Sequence, residues 1–185
     1  RLKRLVIKGE SDQERRSKLE LCIERLLGMQ RYNGSFGLWG SDSVEEYWLT
    51  AYVTDFLLRA REQGFAVPAE ALQRANARLL RYLQERQLID PHYSDSLEHS
   101  RFAVQAYAGY VLSRSQQAPL GALRSLFERR SDARSGLPLV HLAAALKAMG
   151  DAPRAEQALL ASQAIRRPAR DWLGDYGSEL RDEAL

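Results

Sequence analysis

The chain has 185 residues, 45% hydrophobic and 28% charged, with a formal net charge of +3, so one domain with a core burying roughly 70% of the unfolded chain's surface is favoured. Acids and bases alternate along it, as in Glu14 with Lys18 and Glu70 with Arg74, which argues against the basic stripe of a nucleic-acid binder. No apolar run approaches the roughly 20 residues of a membrane span, and the one cysteine, Cys22, excludes intrachain disulfides and metal sites built on two or more thiolates.

Residues 1–10 read as a linker or end segment, with "LVI" at 5–7 the only strand candidate. Ser11 and Glu14 make a capping box, and Leu19, Cys22, Ile23, Leu26 and Leu27 follow at helical spacing to about Gln30. The glycine- and aromatic-rich connection "YNGSFGLWG" comes next. Ser43 with Glu46 reads as a second capping box, opening a helix through Trp48, Tyr52 and Phe56 that stops at Gly64. Pro68 suits the first turn of a third helix, with Leu72, Leu79 and Leu83 on its apolar side and Arg74, Arg78 and Arg81 on the wet side. "DPHYSDS" is a turn, and a fourth helix starts near Ser96. Further helices are expected over 119–130 and 137–149, the latter closed by Gly150, then from an Asp151 cap to about Ala164. The loop "DWLGDYG" leads to an eighth at Ser178.

No period-two pattern persists long enough for a sheet, so the class is all-α. Helix pairs recur at about 40 residues, the mark of a repeat architecture that stacks openly or closes into a ring. The helix after Ser43 is apolar or small on several sides and the helix after Pro68 on one, as inner and outer members of a ring would be. The expected architecture is an α/α toroid over residues 11–185, an incomplete ring truncated at both ends of the chain.

The quoted connection with its flanks, "MQRYNGSFGLWG" and "EYWLTAYVTDFLLRAREQGFAVP", resembles the thioester domain of the alpha-2-macroglobulin and complement family in its bacterial branch. So do "AYAGYVLSRSQQAPLGALR", "SGLPLVHLAAALKAMGD" and "DWLGDYGSELRDEAL", in the same order along the chain. The resemblance implies a toroid inside a large multi-domain secreted or periplasmic peptidase trap. In such a trap a protease cuts a bait region elsewhere, the molecule collapses around it, and the thioester domain swings out. It implies sibling domains and target peptidases as partners, no cofactor, and a periplasmic or cell-envelope location.

The family's thioester joins the cysteine and glutamine of Cys-x-Glu-Gln. Here the lone cysteine reads Cys22-Ile-Glu-Arg25, and arginine offers no acyl group. Cys22 is therefore expected to be a core residue of the first helix. Either the motif precedes Arg1 in a longer protein, or the chain resembles the members that lack a thioester.

Tyr32, Asn33, Phe36 and Trp39 form a candidate partner or interdomain surface. The preferred alternative is a corner, with Asn33-Gly34 permitting positive φ and the rings packed over helix ends. A phosphate loop lacks its lysine and its strand. His141, among Leu139, Val140 and Leu142, reads as a core or cavity histidine. His92 and His99 lie in or just after a connection from which, in thioester-bearing relatives, a histidine can catalyse acyl transfer. No two histidines have metal-ligand spacing. Glu45, Glu46 and Glu179 read as acids at helix starts, Asp182 and Glu183 as a solvated face. A carbohydrate-active toroid using an acid pair such as Glu46 and Asp175 is the alternative function, motivated by shared architecture and acidic residues only. The reading preferred is a non-catalytic module, with no catalytic residue and no metal.

Overall fold

A computed structural model describes residues 11–91, 94–168, 172–175, 177, 178, 180 and 181. Among them are seven α-helices: α1 (Asp12–Gly28), α2 (Tyr47–Glu62), α3 (Ala69–Gln84), α4 (Leu97–Arg114), α5 (Leu120–Glu128), α6 (Gly136–Ala148) and α7 (Ala152–Ala164). Their only β pairing is two isolated bridges. The strand candidate at 5–7, His92, Glu179, Asp182 and Glu183 lie outside the described residues; of the eighth helix, Leu180 and Arg181 are helical and Ser178 accepts from the Arg181 N–H at 3.2 Å.

Burial divides the helices into two rows. In α2, α4 and α6 buried positions run round most of the circumference, and α4 packs against both of the others. These are the inner helices. In α3 and α5 the buried positions form one stripe, such as Leu72, Ala75, Leu79 and Leu83, and α3, α5 and α7 contact one another in sequence outside the inner row. The result is an arc of an α/α toroid. Small residues let the rows approach. Gly109 of α4 has Leu123 of α5 where a side chain would begin, and Gly136 at the start of α6 faces the Ser162 carbonyl of α7.

Several buried polar groups inside the rows are satisfied by backbone carbonyls. Thr54 Oγ1 donates to the Thr50 carbonyl at 2.6 Å, and Thr50 Oγ1 to that of Glu46 at 2.8 Å. The buried Gln105 amide of α4 donates to the Tyr82 and Leu83 carbonyls, both at 3.0 Å, covering acceptors that the end of α3 leaves free.

Several sequence-level expectations stand here. Ser11 and Glu14 form the capping box, Ser96 caps α4 through the His99 N–H, Asp151 caps α7, and Gly150 closes α6 at φ 89°. Four expectations fail. Ser43 caps no helix: its Oγ donates to the Gly40 carbonyl at 2.7 Å, Glu45 forms an antiparallel bridge with Gly37, and α2 begins only at Tyr47. Glu45 and Glu46, expected as first-turn acids, both precede the first turn. Arg78, expected on the wet side of α3, is buried. Cys22 is exposed, because α1 buries only Ile23 fully and half-buries Leu26 and Leu27, leaving Cys22 one step round the helix from that stripe.

A candidate docking face

The connections differ by direction. Inner-to-outer turns are short (63–68, 115–119, 149–151), and outer-to-inner connections are longer (29–46, 85–96, 129–135), with the described residues after α7 (165–168, 172–175 and 177) a fourth stretch beside them. The longer ones meet one another at the end of the arc where the inner helices begin.

The first of them is a built corner. Asn33 Oδ1 accepts from the Ser35 N–H at 3.1 Å and the Ser35 hydroxyl at 2.7 Å, and Gly34 adopts φ 88° with the Arg74 carbonyl pressed against it. Gln30 pairs with Phe36, whose ring is only 1% exposed. The Phe36 N–H donates to Thr50 Oγ1 at 3.0 Å and its carbonyl accepts from the Glu46 N–H at 3.0 Å, so the corner is pinned to the start of α2. Glu45 locks it to α3. Its carboxylate accepts from Arg78 Nε at 2.7 Å and Nη2 at 2.6 Å, a two-pronged buried pair, and from the Tyr82 hydroxyl.

The structure therefore separates the four residues proposed for a surface. Phe36 is core and Asn33 is a backbone lock. Tyr32 and Trp39, expected to bury their rings, are 90% and 86% exposed. The corner forms, but two of its three rings are left in solvent.

Trp39 lines an open groove of ≈ 630 Å³, with Leu38 and Val44 from the same connection, Tyr47 from the start of α2, Asp90 and Pro91 from the second, and Trp172 and Gly174 from the fourth. Leu38, Val44 and Trp172 are also exposed. Sequence reasoning missed Trp172, Val44 and Leu38 as surface candidates. The signal available was the tryptophan in a second glycine-bearing loop, "DWLGDYG".

Trp172 is held from below. Its N–H donates to Asp95 Oδ2 at 2.6 Å, and its carbonyl accepts from the Asp95 N–H at 2.8 Å. The Leu173 carbonyl accepts from Ser100 Oγ at 2.8 Å and Ser94 Oγ at 3.2 Å. Next along the segment, Asp175 is the centre of a buried network. Oδ2 accepts from His99 Nε2 (3.0 Å), Ser135 Oγ (2.6 Å) and Arg167 Nη2 (2.8 Å), and Oδ1 from Arg167 Nη1 and the Gly177 N–H, both at 3.0 Å. Burial pushes the Asp175 carboxyl up, but the bonds from His99, Arg167, Ser135 and Gly177 outweigh it and hold the acid well below the usual carboxylate range.

This network decides two chemical questions. His99 Nδ1 accepts from the Arg134 N–H at 2.9 Å, so the proton sits on Nε2 and points at Asp175. Both ring nitrogens are occupied and the residue is fully buried, so it has no lone pair for an incoming hydroxyl. Ser135 donates to the carboxylate and not to the imidazole, so the three residues do not make a nucleophile–base–acid relay. Asp175 is buried and charged, the opposite of the raised-pKa general acid a glycosidase needs.

His141 lies on the concave side of the arc, half-buried and stacked on Tyr107 with centroids 4.4 Å apart. Burial, aided by Arg181, lowers its pKa to about 4. It is a neutral cavity histidine, as its apolar neighbours imply.

An all-helical arc with two opposed kinds of connection and a groove flanked by exposed tryptophans defines an α/α-toroid class of domain. Residues 4–116 match the family model described as the A-macroglobulin TED domain, and the chain belongs to that family. It is 56% identical over its whole length to an alpha-2-macroglobulin of Escherichia coli strain K12, and 42% identical to one of Xylella fastidiosa. In each case it spans 11% of the relative. It superposes with a TM-score of 0.94 on a native E. coli alpha-2-macroglobulin crystal structure running from domain MG7 to the C-terminus, covering 99% of this chain and 29% of that one. The trypsin-activated E. coli protein superposes with a TM-score of 0.93, covering 100% and 12%.

Proposed function

We propose that this chain is a non-catalytic docking and conformational module of a bacterial alpha-2-macroglobulin that inhibits peptidases by closing around them. Its partners are then sibling domains of the same large protein, with target peptidases engaged through the whole molecule, in the periplasm or cell envelope. No helix among the described residues is long and apolar enough to cross a membrane. Residues 11–185 would be the toroidal part and residues 1–10 a link to it.

One observation carries the reading. Trp39, Val44 and Trp172 expose large apolar surface round one groove while the backbone beneath them is fixed by the Glu45 and Asp175 networks. Exposed apolar area costs about 25 cal/mol per Å² relative to burial. A rigid, contiguous patch of that kind marks a contact surface. We assign its occupant as a sibling domain that covers the groove in one state of the protein and leaves it in the other. Native and trypsin-activated forms of the E. coli relative support two such states.

The test uses the full-length protein. Acrylamide quenching of tryptophan fluorescence, before and after protease cleavage, should show Trp39 and Trp172 shielded in one state and open in the other. Trp39→Ala with Trp172→Ala should lower the protease concentration needed for the compaction seen by small-angle scattering, by weakening the contact that holds the uncleaved form. Equal quenching in both states, with compaction unchanged in the double variant, refutes the assignment.

A further inference from the structure

On the outer side of the arc, between the ends of α3 and α5, lies a second pocket of ≈ 290 Å³ that shares no lining residue with the tryptophan groove. Leu83, Gln84, Arg86, Gln105, Ser125 and Arg129 line it. Arg129 donates from Nη2 to Gln105 Oε1 at 3.0 Å, and the Gln105 amide nitrogen is already committed to the end of α3. The other guanidinium nitrogen, Nη1, is buried with no hydrogen-bond partner among the described residues. No described carboxylate lies within the 4.0 Å ion-pair range of Arg129. Burial lowers the pKa of this guanidinium, the neighbouring Arg86 lowers it further, and only Asp132 acts the other way.

The charges nearby do not cancel. Arg86 pairs with Glu98 and, at 3.5 Å, with Asp132, and Arg101 shares Glu98 at 3.5 Å. Three guanidiniums thus face two carboxylates. The uncompensated charge is that of Arg129, whose Nη1 is unmatched, and Arg86 Nε is a second buried donor there without a partner among the described residues. An unmade hydrogen bond on a charged donor is destabilising, and a charge-assisted bond to an anion removes that penalty.

We propose that this pocket is an anion site in which Arg129, flanked by Arg86, receives one carboxylate or one tetrahedral oxyanion. The single excess positive charge matches one negative charge. The guanidinium edge offers the planar donor pair that carboxylates and oxyanions accept. Ser125, on the pocket wall, supplies a hydroxyl to the same ligand. The chemistry admits two sources: a free inorganic oxyanion, or the acidic side chain of a protein segment laid against α3 and α5.

The experiment follows the arginine Nε–Hε signals of the 15N-labelled chain by NMR during separate titrations with sodium sulfate and with N-acetylglutamate amide. Ionic strength is held constant with chloride. The Arg129 and Arg86 signals are expected to shift saturably, and the apparent affinity, read on Arg86 in the variant, to fall roughly tenfold or more in Arg129→Gln, the loss of a bond between charged groups. Arg129→Lys keeps the charge without the planar fork and should also weaken binding. Circular dichroism checks that both variants stay folded. A stronger response to sulfate identifies a free oxyanion, and a stronger response to the glutamate amide identifies a side-chain carboxylate. Shifts no larger than chloride alone produces, or a saturable response retained in Arg129→Gln, would overturn the proposal.

Discussion

The two ends of the helical arc are built on different principles. Where inner helices pass to outer ones, the turns at 63–68, 115–119 and 149–151 do little more than reverse the chain, and Gly64 and Gly150 at φ 81° and 89° have open space beside them. Where outer helices pass to inner ones, the connections fold on one another. Gly34 is pressed on a carbonyl, Glu45 is locked into Arg78 and Tyr82, and Asp175 gathers His99, Ser135 and Arg167. A long loop loses much conformational entropy on ordering, and it stays ordered only where buried polar bonds compensate. The complex end therefore displays rigid apolar rings.

Substitutions can break that contrast in order of severity. Asp175→Ala should cost the most, about 3–5 kcal/mol by urea unfolding, because it strands the buried Arg167 charge along with Ser135 and His99. The pH dependence has a definite sign. A carboxyl held below its unfolded value of about 3.9 contributes stability above that pH and loses it as pH falls toward the folded value. Acidification below about pH 4 should therefore destabilise the native chain more than Asp175→Ala. A variant as stable as the parent at pH 7 would mean that the network does not hold residues 172–175 in place.

Paired glycine replacements sharpen the comparison. Gly34→Ala combines a left-handed backbone with a collision against the Arg74 carbonyl and should cost about 2–4 kcal/mol. Gly64→Ala, left-handed but in open space, should cost only about 1 kcal/mol. Equal losses, read as shifts in urea midpoint, would remove the distinction between the two ends. The smallest effect belongs to the simple end. Gln116 is a non-glycine residue at φ 56°, and Gln116→Gly should change stability by less than about 1 kcal/mol, in the stabilising direction, on thermal unfolding.

The sequence was legible where structure is local. Capping at Ser11, Ser96 and Asp151 and the helix stop at Gly150 depend on neighbours three or four residues away. So does the contrast between a helix apolar all round and one with a single stripe. The failures share a cause as well. Ser43 and Glu46 have the spacing of a capping box, yet Glu45 is drawn into an extended bridge and across to Arg78, a partner on the next helix. Arg78 looked solvated because nothing in its own helix announces a buried acid. Trp39 reads as a surface candidate second to a packed corner, and Trp172 draws no notice, until two connections place them on one groove.

Taken alone, the order of residues determined an all-helical chain, its approximate helix boundaries, its inner and outer rows, and the want of an acyl donor beside Cys22. Helical period, caps and missing functional groups are properties of short stretches, so a linear reading reaches them. Only the tertiary arrangement decided which charges are buried, that His99 has no free nitrogen, and which rings face solvent, since each depends on residues from separate connections meeting at one end of the arc.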